Sequence, residues 1–234
     1  MLRSRILGAV AAMLVLASPL AGGADAPKMK IGVIGSGRIG GTLGELWAKA
    51  GYEVMFSSLD IEHDRQLAAK TGGKAGTPAQ AASFGDVLLV SVPYPALEQI
   101  GRDYAASIKG KVVLDTSNPI ESRDGKMAVA AREKGTGVAS AEFLPGARLV
   151  RAFNSVGYGK LQAEHHREGE RIAIPLAADD KGALDVAAQL VKDAGFEPVV
   201  VGGLAKAKSF DVGTPVFGKA LTATELRKAL DIAQ

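Results

Sequence analysis

The stretch "KIGVIGSGRIGG", Lys30 to Gly41, is a short apolar segment that runs into three glycines at the spacing G-x-G-x-x-G. In a strand–turn–helix unit each glycine has a mechanical task. Gly35 makes the tight turn, Gly37 lets the backbone approach a pyrophosphate, and Gly40 lets the helix pack close to the strand. An amphipathic pattern follows the glycines and a second apolar segment begins at Glu53, as this unit requires. The sequence therefore predicts a dinucleotide-binding turn whose pyrophosphate lies at a helix N-terminus.

Apolar segments alternate with helical patterns along the rest of the chain. The apolar segments are runs of Val, Ile and Leu, which are typical of parallel strands buried on both faces. Strands are predicted at Lys30–Ile34, Glu53–Ser57, Asp86–Ser91, Lys111–Asp115, Arg148–Ala152, Arg171–Ala177 and Glu197–Val201. Helices are predicted at Ile39–Ala50, Ile61–Lys70, Thr77–Phe84, Tyr94–Ile108, Val138–Leu144, Lys181–Ala194 and Thr222–Ala233, with a loop and a short helix in 118–137. The fold class is α/β: one Rossmann-type, doubly wound domain with a mostly parallel sheet, over residues 28–234.

The first 24 residues have the layout of a signal peptide. Arg3 and Arg5 form a basic start, the uncharged apolar run Ile6–Leu20 follows, and small residues come next. The run has 15 residues, fewer than the roughly 20 of a membrane span. We expect cleavage near residue 24, no stable membrane span afterwards, and a periplasmic or secreted protein. Two alternatives stay open: the segment remains as an anchor, or Met29 is the true start of a cytoplasmic protein.

Composition excludes several classes of site and partner. The 234 residues include no cysteine, so disulfides and thiolate metal sites are excluded. Removal of Arg3 and Arg5 would leave 26 basic against 25 acidic residues. No cluster of Lys and Arg with interleaved aromatic residues is present, so we expect no nucleic-acid partner. His63, His165 and His166 lie in polar segments that we expect to be exposed, and no metal site is predicted.

The end of the second strand bears on the choice between NADP and NAD. NAD sites place Asp or Glu about 20 residues beyond the glycines, where the acid binds the ribose hydroxyls. This chain has Ser57 and Ser58 there, two hydroxyls that could accept a 2′-phosphate, and this favours NADP while leaving NAD open. Leu59 stands where an arginine clamp would be expected, so the candidates for positive charge are Arg38, His63 and Arg65.

Further motifs resemble one family. The glycine loop is followed by "FSS" at 56–58, "VLLVSVPYPAL" at 87–97, "KVVLDTSNP" at 111–119 and "LVRAFNSVG" at 149–157. In this order they resemble the deazaflavin (coenzyme F420)-dependent NADP reductases, also described as predicted dinucleotide-binding enzymes. The chain is also similar to the NADPH module of membrane metalloreductases. The resemblance, over about residues 30–203, implies a single Rossmann-type domain and hydride transfer between NADP and a deazaflavin or flavin-like acceptor.

The resemblance also implies roles for individual positions. The pyrophosphate loop would comprise Gly35, Ser36, Gly37, Arg38 and Ile39, and the adenosine-phosphate pocket Ser57 and Ser58. The ribose and nicotinamide would lie against Ser91, Val92 and Pro93, and the next strand end would supply Asn118 and Pro119. Asn154 and Ser155 stand near the expected position of the acceptor ring, where the deazaflavin enzymes have a histidine in place of Asn154. Asn118 and Asn154 are therefore candidates for positioning the acceptor.

No acid–base pair or nucleophile arrangement is visible in the sequence. Asp115, at a strand end, could act as an acid or could bond the N–H groups of the "DTSNP" turn, and both interpretations stay open. Hydride transfer between stacked rings requires orientation and exclusion of water more than acid–base groups. The leading hypothesis is therefore an NADP(H)-dependent oxidoreductase with a small-molecule acceptor, compatible with a homodimer. The alternative is a non-catalytic module that binds or senses NADP(H).

Overall fold

The computed structural model describes residues 28–233, so the predicted signal peptide lies outside the described residues. Within them, eight strands form one sheet: β1 (Lys30–Ile34), β2 (Glu53–Ser57), β3 (Lys74–Ala75), β4 (Val87–Val90), β5 (Val112–Asp115), β6 (Arg148–Arg151), β7 (Ala173–Ala177) and β8 (Glu197–Gly202). Their order is β3-β2-β1-β4-β5-β6-β7-β8. Neighbouring strands are parallel, except that β6 pairs antiparallel with β7. The predicted doubly wound, mostly parallel sheet is confirmed.

Helices cover both faces of the sheet. They are α1 (Arg38–Lys49), α2 (Ile61–Thr71), α3 (Pro78–Phe84), α4 (Ala96–Asp103), α5 (Ala105–Ile108), α6 (Glu121–Asp124), α7 (Lys126–Lys134), α8 (Thr136–Phe143), α9 (Tyr158–Glu164), α10 (Lys181–Asp193) and α11 (Ala223–Leu230), with a 3-10 helix at Leu204–Phe210. Among residues 28–233, no helix combines the length and apolar character that a membrane crossing requires.

The strands supply two apolar cores because successive side chains point to opposite faces. On β4, Val87 and Leu89 pack with α1, α2, α9 and α10, whereas Leu88 and Val90 pack with α3, α4 and α8. The indole of Trp47 on α1 is fully buried in the first core, and its Nε1 donates to the carbonyl of Leu190 on α10 at 2.8 Å. Both faces of the central strands are thus buried, as their continuous apolar runs predict.

The structure differs from the sequence predictions in a few elements. The predicted loop with a short helix in 118–137 contains α6 and α7 and runs into α8, and the predicted helix Tyr94–Ile108 is divided at Tyr104, whose φ of −117° leaves the helical region. Strand β3, helix α9 and the 3-10 helix were not predicted. These three elements are two to seven residues long, too short for a periodic pattern to stand out.

Candidate functional site

The glycine-rich loop follows β1 and leads into α1. Gly35 has φ +94°, and a Cβ atom there would lie 2.2 Å from the Ser91 carbonyl oxygen. A Cβ on Gly40 would lie 2.2 Å from the Gly35 carbonyl oxygen, whereas one on Gly37 would meet nothing within 4 Å. Gly35 and Gly40 are therefore required by the packing of the protein itself. Gly37 is not, because it borders open space where a ligand can approach the backbone.

The start of α1 is suited to an anion. Gly37 is the N-cap residue and contributes no side chain, and the first turn contains no acidic residue. The first N–H groups of a helix have no partner within the helix and carry a partial positive charge. The guanidinium of Arg38 lies 5.0 Å from the ring centroid of Tyr158, the first residue of α9. A pyrophosphate at this loop would meet free N–H groups with a cation beside them.

A cavity of about 580 Å³ opens beside the loop, at the carboxyl ends of β1, β2 and β4. It is lined by Ile34, Gly35, Gly37, Ser58, Leu59, Asp60, His63, Pro78, Ser91, Val92, Pro93, Ala96, Gln99, Ile100 and Tyr104. Six residues predicted from the sequence are thus brought together here, since Gly35, Gly37, Ser58, Ser91, Val92 and Pro93 all contribute. Other predicted residues do not line it: Ser36, Arg38, Ile39, Ser57, Asn118, Pro119 and Asn154.

The two serines at the end of β2 differ from the expectation that both hydroxyls face a phosphate. Ser57 is fully buried, and its hydroxyl donates to the Val33 carbonyl oxygen at 2.6 Å. The Ser58 hydroxyl lies 3.0 Å from both carboxylate oxygens of Asp64, and it accepts the N–H of Asp60 at 3.0 Å. Each serine proton therefore already has an acceptor inside the protein.

Asp64 was not recognised from the sequence. Its side chain is fully buried in the first turn of α2. The Ser36 hydroxyl also donates to it, so one carboxylate joins the glycine loop to the end of β2. On the same turn of α2, Nε2 of the preceding residue His63 lies 3.0 Å from the Ser36 carbonyl oxygen. In the sequence, an acidic residue next to a histidine is typical of an exposed helix surface. The spacing of Asp64 gives no indication that its side chain is buried.

The ends of β5 and β6 form a second polar region. The Asn118 side-chain Nδ2 donates to the Asn154 carbonyl oxygen at 2.8 Å. Both polar atoms of the Asn154 side chain and Oδ1 of Asn118 are buried without a partner among the described residues. A buried amide without hydrogen bonds is costly, so these amide atoms are candidate partners for a bound ligand.

Backbone strain accompanies Asn154. Phe153 has φ +58°, in the left-handed region that a bulky side chain rarely adopts. Its ring is held on both sides, 6.1 Å from the ring centroids of Trp47 and Phe196 in edge-to-face contacts. The packing of Phe153 thus imposes a strained backbone that sets the direction of Asn154, as is seen at functional positions.

The hydrogen bonds of Asp115 favour the second of its two interpretations, a structural role in the turn. Its carboxylate is fully buried and accepts from the Ser117 N–H at 2.8 Å and from Nη1 of Arg151 at 2.8 Å. Arg151 also bonds Asp211 at 3.2 Å. Burial alone would lower the pKa of Arg151, but the two carboxylates outweigh it and raise the pKa. Asp115 thus bonds the turn, as the second interpretation predicted.

The two adjacent histidines form no metal site within the part of the chain that the structure describes. His165 is only partly exposed, which differs from the expectation for this segment. Its pKa is lowered, chiefly by burial and then by the neighbouring His166. The two rings are perpendicular, 5.5 Å apart between centroids.

Sequence comparisons place the chain among dinucleotide-dependent reductases. Residues 30–119 match the family model described as NADP oxidoreductase, coenzyme F420-dependent. The chain is 32% identical over 204 residues to the F420-dependent NADP reductase of Methanothermobacter thermautotrophicus, and the match covers 80% of this chain and 87% of that protein. The region matched by the family model contains the glycine loop and Asn118.

Solved structures share the fold. A hypothetical protein from Sinorhizobium meliloti superposes with a TM-score of 0.74 at 24% identity, over 83% of this chain and 96% of that one. A structure described as a putative F420-dependent NADP reductase from Arthrobacter sp. FB24 superposes with a TM-score of 0.69 at 19% identity, over 83% of this chain and all of that one. At these identities the likeness concerns the fold.

Proposed function

Because the chain belongs to the family of F420-dependent NADP reductases, we propose that it is an oxidoreductase that transfers hydride between NADP(H) and a deazaflavin or flavin-like acceptor. The observation that carries the proposal is the open space beside Gly37, at the N-terminus of α1, within a loop whose other two glycines are fixed by packing. The protein keeps a backbone surface free where a pyrophosphate fits.

The remaining groups of the site fit the rest of a dinucleotide. The part of the cavity next to Ser58 and Leu59 takes the adenosine half, because these residues follow β2. The strand end Ser91–Pro93 lies on the other side, between the loop and the end of β5, and takes the ribose and nicotinamide. NADPH supplies the hydride when bound, and the protein orients the ring against the acceptor and excludes water.

Asn118 and Asn154 position the acceptor. A side-chain amide offers one acceptor and two donor hydrogens, which complement the adjacent carbonyl and N–H groups of a flavin or deazaflavin ring edge. Asn154 presents both kinds of atom buried and unpaired. Because these atoms are buried and Asn154 does not line the cavity, a ring edge reaches them only when the segment around Phe153 moves.

The test measures NADPH oxidation with deazaflavin, flavins and ferric chelates as acceptors. We expect turnover with at least one ring acceptor. Asn154→Ala should raise the KM for that acceptor about tenfold or more, since a buried hydrogen bond contributes on the order of 1–3 kcal/mol, while the Kd for NADPH stays the same. Tight NADPH binding with no turnover for any acceptor would instead identify a sensing or carrier module.

We also propose that residues 1–24 direct export of the protein, on the strength of the basic start and the uncharged apolar run that follows it. Mass spectrometry of the native N-terminus tests this. A first residue near Asp25 is expected. An intact Met1 would indicate an anchor, and a chain beginning at Met29 would indicate a cytoplasmic protein and refute export. Assembly into a homodimer stays a prediction, which light scattering at several concentrations checks.

A further inference from the structure

The cavity wall that would meet a 2′-phosphate has an unusual charge. Among its described lining residues there is no Lys or Arg, and Asp60 and His63 are the charged or readily charged side chains. Leu59, the neighbour of Ser58, extends fully into solvent. A 2′-phosphate carries between one and two negative charges near neutral pH, so a wall of this composition offers it little attraction unless His63 is protonated.

The hydroxyl groups of the wall do not replace a cation. Ser58 is directed to the buried carboxylate of Asp64 at 3.0 Å, and Ser57 is directed into the sheet. Asp60 is committed as well, because its Oδ1 accepts the N–H of His63 at 3.1 Å as the N-cap of α2. Binding of a phosphate to either serine would break a bond to a buried group, leaving His63 as the side chain with a proton to donate.

The contact between His63 and the glycine loop determines which ring nitrogen carries the proton in the neutral imidazole. A carbonyl oxygen only accepts, so the 3.0 Å contact between Nε2 and Ser36 O requires a proton on Nε2. The second proton of the imidazolium then goes to Nδ1. Protonation adds a charge to a residue that lines the cavity, without loss of the contact to the glycine loop.

From this geometry we infer that His63 determines the preference for NADP over NAD, and that the preference strengthens as pH falls. The inference rests on the proposed function. A neutral wall that presents Ser58 and Asp60 suits the ribose hydroxyls of NAD, whereas a protonated His63 gives the 2′-phosphate a charge-assisted hydrogen bond. Histidine changes charge between about pH 5 and 8, so the site would discriminate between the two nucleotides most strongly at mildly acidic pH.

Other charged groups around His63 have partners of their own. On α2, Glu62 is paired with Arg65, and the buried carboxylate of Asp64 lies behind the wall. On α1, Arg38 lies against Tyr158, and from the α4–α5 junction Tyr104 contributes a phenol to the wall. Among the described wall residues none is a permanent cation that would take over the role of His63.

The experiment compares two nucleotides that differ in one group. Calorimetry measures the affinities of AMP and of adenosine 2′,5′-bisphosphate for the full chain, between pH 6 and pH 8, with His63→Lys and His63→Gln as variants. The 2′-phosphate itself changes charge near pH 6. The His63→Lys variant keeps its positive charge over this pH range, so any pH dependence of its affinity ratio measures the contribution of the phosphate alone. AMP affinity serves as the folding control, because it depends on the glycine loop and not on the 2′-phosphate.

In the unmodified chain, the ratio of the two affinities should fall about tenfold from pH 6 to pH 8. His63→Lys should keep a high ratio at pH 8, and His63→Gln should give a low ratio at both pH values. Equal ratios in the unmodified chain and His63→Gln, with AMP bound by both, would overturn the role of His63 alone. Binding of neither nucleotide would overturn the dinucleotide site, and this inference with it.

Discussion

Gly37 and Gly40 lie three residues apart in the same loop, yet an added methyl group meets different surroundings at each. A Cβ on Gly40 would overlap the Gly35 carbonyl at 2.2 Å, and one on Gly37 would be free of contacts within 4 Å. Packing thus explains why position 40 is a glycine, and the approach of a ligand explains why position 37 is one. The two positions give a direct way to separate folding from binding.

Gly37→Val should abolish NADP binding, with a loss of at least a hundredfold, and leave the unfolding midpoint nearly unchanged. The reason is that a branched side chain blocks access to the N–H groups at the start of α1. Gly40→Ala should instead lower the free energy of unfolding by about 1–3 kcal/mol. Calorimetry and urea unfolding followed by circular dichroism measure the two effects. Undiminished NADP affinity in folded Gly37→Val would refute the site.

Leu59→Arg should raise the preference for NADP over NAD. Leu59 is fully exposed at the cavity rim, so an arginine can reach a 2′-phosphate without disturbing the core. The added charge-assisted contact is worth on the order of 1–3 kcal/mol, or about fivefold to more than a hundredfold. The ratio of the two dissociation constants measures it, with Leu59→Gln as the uncharged control. Equal ratios for the two variants would place the phosphate elsewhere.

Single residues also show where sequence reasoning stops. The glycine spacing predicts the loop because each glycine answers to a local backbone requirement. Ser57 and Ser58 were correctly placed at the end of β2, but the partners of their hydroxyls could not be predicted. These partners include Asp64, a carboxylate buried through tertiary packing of α2 on the loop. Burial of a charged side chain depends on contacts between distant segments, so the periodicity of the sequence does not predict it.

Among the elements, α10 illustrates a predictable helix with an unpredicted connection. Asp180 caps it, since its Oδ1 accepts the Ala183 N–H at 2.8 Å. The same carboxylate forms two 2.8 Å bonds with Arg148 at the start of β6. The bonds from Arg148, followed by the cap, hold the pKa of Asp180 well below its usual range. The helix was predicted from the sequence, whereas the connection to a strand 32 residues away could not be predicted.

Asp180→Asn should make the protein less stable at neutral pH, by an amount that shrinks in acid. The carboxyl pKa is lower in the folded than in the unfolded chain, so the unfolded state binds more protons and the stabilisation is present above about pH 4. It is lost as pH falls through the folded pKa. Urea unfolding at pH 7, 5 and 3 measures the difference between the two chains. Asp185→Asn, on the same helix, controls for loss of one exposed carboxylate, and a constant difference at all pH values would contradict the linkage.

At the scale of the whole molecule, a buried ionic cluster connects β5, β6 and the segment after the 3-10 helix. Arg151 bonds Asp115 and Asp211, and Asp211 in turn accepts the Thr136 N–H at the start of α8 at 3.1 Å. Burial raises the pKa of the nearby Tyr94 to about 12, so its phenol stays neutral. The cluster fixes the strand ends from which the Asn118 and Asn154 segments leave the sheet.

Arg151→Met should lower the free energy of unfolding by about 3–5 kcal/mol, because two buried carboxylates lose their counter-charge. Combining it with Asp115→Asn and Asp211→Asn should restore part of the loss. Arg148→Met, which changes a partly exposed arginine on the same strand, should have a much smaller effect. Circular dichroism in urea measures all three, and equal losses for Arg151→Met and Arg148→Met would show that the cluster contributes nothing beyond a surface pair.

The position of Trp47 gives the protein an optical reporter of its own. It is the single tryptophan of the chain, about 15 Å along α1 from the glycine loop at 1.5 Å per residue, and its ring touches Phe153 beside Asn154. Indole emission overlaps the absorption of reduced nicotinamide, so bound NADPH should quench it by energy transfer, whereas NADP should not. An acceptor that moves Phe153 should change the emission lifetime. One fluorophore can therefore follow the occupancy of both halves of the site in solution without a label.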